Sequence, residues 1–116
     1  MSKELEELIA LTEDELMLLI GEELKPRGFA LDERDDKQKK MDGESWFERN
    51  RKRIQDQVCA SDMAQNVIAD GRTFSRVELA AAIVDAISLV VTGVSPALIA
   101  VVVVRRGLVE FCADRP

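Results

Sequence analysis

Histidine and tyrosine are absent from these 116 residues, tryptophan occurs once and cysteine twice. Without histidine the chain lacks the usual general base and the commonest transition-metal ligand. Any catalysis would have to run on carboxylates, lysines and hydroxyls. The two cysteines, Cys59 and Cys112, cannot form a structural zinc site by themselves, and no glycine-rich phosphate loop is present. We therefore expect a non-enzymatic protein with no cofactor and no metal. Cys59 and Cys112 stand far apart in apolar surroundings and read as two buried, unpaired thiols rather than a disulfide. The first 21 residues are acidic and lack a basic region followed by an unbroken apolar run, so no signal peptide is expected and the cytoplasm is the default compartment.

Positive charge is also in short supply. Twenty-two acidic residues against sixteen basic ones leave a formal charge of -6, which opposes general attraction to a phosphate backbone. With 47% apolar and 33% charged residues, the composition is that of a folded chain, and 116 residues suffice for one core. A single helical domain over residues 1–116 is the expectation.

The strongest local signals are helix starts. Thr12 and Glu15 form a capping box with Leu11 and Leu16 as its hydrophobic staple; Ser75 and Glu78 form another, with Phe74 and Leu79. Ser45 and Glu48 make a third box without a staple. From these starts the spacing predicts helices over about 2–10, 13–25, 45–59, 62–70, 76–92 and from 96 onward. The two at the amino terminus could be continuous, but the capping box favours a break. Lys25-Pro26-Arg27-Gly28 ends the second, and Gly71 closes the fourth. Gly107 either ends the last helix or lets it run on to Cys112. On the third helix Trp46, Asn50, Ile54 and Val58 fall on one line with Phe47 beside them; Trp46-Phe47 is the expected core anchor, with Trp46 largely buried. Residues 31–44 are nearly all charged and read as an exposed linker, the fastest-exchanging internal segment. The alternating acids and central glycine of a calcium loop are missing there.

Residues 86–104 carry no charge, and two arginines follow. That length approaches a membrane span, but Thr92-Gly93-Val94-Ser95-Pro96 combines a helix stop with a start, so the segment reads as a helical hairpin. The fold class is therefore all-α, a bundle of five or six helices around an apolar hairpin of about 76–92 and 96–106. Both arms are apolar over more than one stripe, and such a helix must be surrounded on all sides. Either the hairpin is the central pair of the bundle or part of it is covered by another chain; we expect the second, through Leu98, Val101, Val102, Val103, Arg105 and Arg106. A protein–protein interaction module, self-associating or bound to another protein, is the function expected. Alternatives are a membrane-associated protein inserting the hairpin, and a nucleic-acid-binding regulator using Arg49, Arg51, Lys52 and Arg53. Those four basic residues also fit a solvated face with ion pairs from Lys52 to Glu48 and Asp56. Asp85 interrupts an apolar helix and either faces solvent or pairs with Arg105 or Arg106.

Overall fold

A computed structural model describes residues 2–24 and 33–113. Among them are seven helices and no strand: α1 Ser2–Ile9, α2 Glu13–Glu23, α3 Asp36–Cys59, α4 Asp62–Asp70, α5 Arg76–Ile87, α6 Pro96–Arg106 and α7 Leu108–Ala113. The all-α bundle expected from the sequence is what forms. Both stapled capping boxes are present. The Thr12 amide donates to Glu15 Oε1 at 2.9 Å and the Glu15 amide to Thr12 Oγ1 at 3.1 Å; Ser75 and Glu78 repeat the pattern at the same distances. Ser61 caps α4 through the Ala64 amide, and Gly71, at φ 67°, closes it. The break between α1 and α2 is real. The stop at 25–28 lies outside the described residues.

The largest departure concerns residues 31–44. Of the expected linker, Asp36–Glu44 is helical and forms the first third of α3. Asp35 caps the helix by accepting the Gln38 amide at 2.8 Å, so the box at Ser45 and Glu48 falls inside a helix and is not used. An apolar side-chain face is not what holds this segment. Gly21 of α2 and Gly43 of α3 are both buried, and the two helices touch backbone to backbone. A Cβ on Gly21 would overlap the Lys39 carbonyl, and one on Gly43 would overlap the Met17 carbonyl. Polar ties flank the seam. Arg34 donates to the Gly21 carbonyl at 2.8 Å and to Asp42 at 2.7 Å, while Lys40 lies 3.3 Å from Asp14.

This seam also sets the rotation of α3. Phe47, one turn beyond Gly43, is fully buried with Ile54 and Val58, and Trp46, about 100° round the helix, is only partly buried. Of the expected Trp46-Phe47 anchor, Phe47 is the core member, and the expectation that Trp46 is largely buried is corrected to partial burial at the core's edge. The Phe47 ring centroid lies 6.3 Å from that of Phe111 on α7.

α6 occupies the centre. Leu98, Ile99, Ala100, Val101, Val102 and Val103 are all buried, six successive positions that cover every direction around a helix. α1, α2, α5 and α7 pack around it. Pro96 stands in its first turn as expected, but the Ser95 side chain makes no capping bond. Instead Glu23 of α2 accepts the Ser95 amide at 2.6 Å, so one end of α6 is tied to α2. α5 ends at Ile87, five residues short of the expected 92, where the Ile87 carbonyl accepts both the Val90 and Val91 amides. Gly107, at φ 92°, ends α6, and a separate short helix, α7, carries Cys112.

The cysteines are joined. Cys59, the last residue of α3, and Cys112 form a disulfide with a Cα–Cα distance of 5.7 Å across 53 residues of sequence, correcting the expectation of free thiols. Buried Gln55, one turn earlier on α3, donates to the Phe111 carbonyl at 3.0 Å and fixes the same junction. Neither contact is encoded locally, because both partners lie more than 50 residues apart.

Three outcomes follow. Gly21→Ala and Gly43→Ala should each lower the urea midpoint. Overpacking costs about 1–3 kcal/mol, whereas alanine's gain in helix propensity is at most about 1 kcal/mol; a raised midpoint would show the helices are not in backbone contact. Reducing the disulfide should cost about 4 kcal/mol, the loop-closure value for a loop of this length, read as the difference in unfolding free energy with and without reductant. Finally, hydrogen bonds from the Thr12 amide and then its hydroxyl hold the Glu15 carboxyl below its ordinary value, and Ser75 does the same for Glu78. A folded pKa below the unfolded one gives stability that is complete above the unfolded value and is lost as the pH falls through the lowered one. Stability of the wild type should therefore fall more steeply in the acid range below about pH 4.3 than that of Glu15→Gln/Glu78→Gln, measured by urea unfolding at successive pH values.

Candidate interaction surface

The hairpin residues expected to meet a partner are internal. Leu98 is buried, and Val101, Val102 and Val103 are wholly inaccessible. The excess of apolar residues on α6 is satisfied by the protein's own helices, so these four are core positions, and the expectation of an outward hairpin face is overturned. Arg105 is exposed and donates to the Ile9 carbonyl at 3.3 Å, tying α6 to the end of α1. Arg106 is half-buried: its Nε donates to Glu13 at 2.9 Å, its Nη1 lies 3.8 Å from Glu48, and its guanidinium stacks 4.7 Å from the Phe47 ring centroid. It joins α2, α3 and α6, a structural task. Asp85 is exposed and does not pair with either arginine.

The basic cluster on α3 divides. Arg51 is half-buried and lies 3.6 Å from Glu48, which Arg106 also approaches. Arg49, Lys52 and Arg53 are exposed, with Arg49 donating to the Ser45 carbonyl and Arg53 to Asn50 Oδ1. Glu48 is thus held by arginines in the role expected of Lys52.

A surface feature that the sequence reading missed lies between α1, α5 and α6. A cleft of 170 Å³ has an apolar wall of Leu5, Val77, Ala81, Val84 and Ala97, and the exposed carboxylates of Glu4 and Asp85 also line it. Val77, Ala81 and Val84 follow at spacings of four and three, so one line of α5 forms a side of the cleft while Ala80, Ile83 and Ile87 face the core. That stripe was legible. Its exposure was not, since the same residues served equally well as part of an interior arm. Just beyond α5, Leu89 is 94% exposed, the most exposed large apolar side chain described.

Small-molecule pockets run to about 300–1,000 Å³, well above 170 Å³, a size suited to side chains presented by another molecule. Among the described residues no three His, Cys, Asp or Glu side chains are grouped to hold a metal ion. The lowered carboxyls of Glu15 and Glu78 are both engaged in helix caps. No described helix is long and apolar enough to cross a membrane. Comparisons with protein-family models, curated proteins and solved structures give no match to this chain.

Proposed function

We propose that this protein is a non-enzymatic protein–protein interaction module, an adaptor or accessory subunit, that engages its partner through the cleft between α1, α5 and α6. The observation that carries this reading is the cleft itself. Its wall is apolar, it opens to solvent, and it sits on α5 and α6, the helices whose other faces build the core. A partner's apolar side chain would gain by leaving water there without the bundle having to rearrange. The Cys59–Cys112 bond adds rigidity suited to a docking platform, and it has a consequence for location. An oxidising compartment keeps the bond and the cytosol keeps cysteines reduced, so cytoplasmic residence belongs with the reduced form of the pair.

A second reading has its own support. Arg49, Lys52 and Arg53 are exposed together on α3, away from the acidic residues of the cleft in sequence, and a phosphate-bearing ligand is the anion they would suit.

Affinity capture of the native protein separates the two. Ala81 is exposed within the cleft, so Ala81→Glu places a charge there without touching the core, and a surface change of this kind leaves stability within about 0.5 kcal/mol. A partner protein recovered in fixed ratio with wild type should be lost from Ala81→Glu and kept by Lys52→Glu. Retention by Ala81→Glu, with loss from Lys52→Glu in a salt-dependent manner, would transfer the function to the α3 face.

A further inference from the structure

We propose that the cleft takes one face of a cationic amphipathic helix, with small or branched apolar side chains in the cavity and Lys or Arg side chains beside Glu4 and Asp85. This rests on the interaction-module reading and specifies the partner's chemistry. Three observations converge on it. The first is shape. The lining residues of α5 run from Val77 to Asp85, about 12 Å of helix axis, and Ala81 and Ala97 are small enough to let a rod approach closely. An apolar cleft lined by successive turns of one helix offers a seat for apolar anchors on one face of another helix.

Charge is the second. Both polar groups lining the cleft are carboxylates, and among the described residues neither Glu4 nor Asp85 has an ion-pair partner. What sets Glu4 and Asp85 apart from exposed carboxylates such as Glu44 and Asp70 is that they line this apolar cleft.

The third is the helix dipole. Asp85 stands in the last turn of α5, where the carbonyl end already carries partial negative charge, and no basic residue occupies that turn. An acid at this position is unfavourable in the isolated bundle. A cation arriving from outside would pair with Asp85 and the α5 terminus at once. Leu89, next to that terminus and almost wholly exposed, extends the apolar surface on the same end of α5.

The test uses a fluorescein-labelled 14-residue Leu/Lys peptide with helical amphipathic periodicity, titrated by anisotropy into the intact oxidised protein. Its comparators are a scrambled peptide of the same composition and a Leu/Glu peptide of the same periodicity. The periodic Leu/Lys peptide should bind in preference to both. Glu4→Gln/Asp85→Asn should weaken it about tenfold, while Glu44→Gln/Asp70→Asn, which removes the same charge at exposed positions outside the cleft lining, should leave it unchanged; circular dichroism confirms that both variants are folded. Equal binding of the scrambled peptide, or equal loss in the two double variants, would mean bulk charge attraction only and would overturn the proposal. Sedimentation provides a further arm: self-association abolished by Glu4→Gln/Asp85→Asn would identify the occupant as a second copy and overturn it as well. If the periodic Leu/Lys peptide fails to bind while Ala81→Glu still loses the native partner, the partner is not cationic and the interaction reading stands. If Ala81→Glu also keeps every native partner, both fall.

Discussion

The contact between α2 and α3 is closed at two glycines. Where Gly21 meets Lys39 and Gly43 meets Met17, the backbones of two helices come closer than any Cβ would permit. Much of the bundle depends on this seam. It keeps the charged first third of α3 in a helix that composition alone disfavours. It also sets the azimuth of α3, so that Phe47 turns inward and the Cys59 end of the helix arrives at α7. Dispersion between closely packed backbones, reinforced by the Arg34 ties, replaces the apolar stripe that such a segment would otherwise need.

A second consequence concerns charge. The acidic and basic residues are not uniformly a solvated coat. Arg106 draws Glu13 and Glu48 towards the Phe47 ring, joining three helices where the apolar core reaches the surface. Glu23 accepts the amide at the start of α6, and Arg105 holds the end of α1. Each partly exposed pair contributes little by itself. Their value lies in position, because each joins elements distant in sequence. Glu4 and Asp85 stand apart from this network, beside an apolar wall.

Burial of α6 redirects the functional question. An arm apolar on all sides implied either a partner chain or a central place in the bundle, and the bundle supplies enough surrounding helices for the second. The surface proposed for recognition is then a modest one on α5, assembled with Leu5 and Ala97 from helices at opposite ends of the sequence. Of its lining residues only Asp85 stands out by type, as an acid within an apolar helix. The cleft is recognisable through geometry, as apolar side chains open to water beside carboxylates that have no partner within the described chain.

Local chemistry is what the sequence determined by itself. The starts of α2, α4 and α5 were legible because a cap and its partner lie three residues apart, and the chain needs no tertiary help to bring them together. The all-α class and the interruption at Thr92–Pro96 follow from the same short-range grammar. Tertiary structure decided what depends on groups far apart along the chain. Gly43 becomes a packing residue only when α2 lies against it, which turned an expected linker into helix. Cys59 finds Cys112, Phe47 takes the inner position while Trp46 is left partly buried at the core's edge, and Val101, Val102 and Val103 become internal, only once α1, α2, α5 and α7 converge on α6. Composition records how much apolar surface there is to cover; only the mutual placement of the helices settles which of it remains open to a partner.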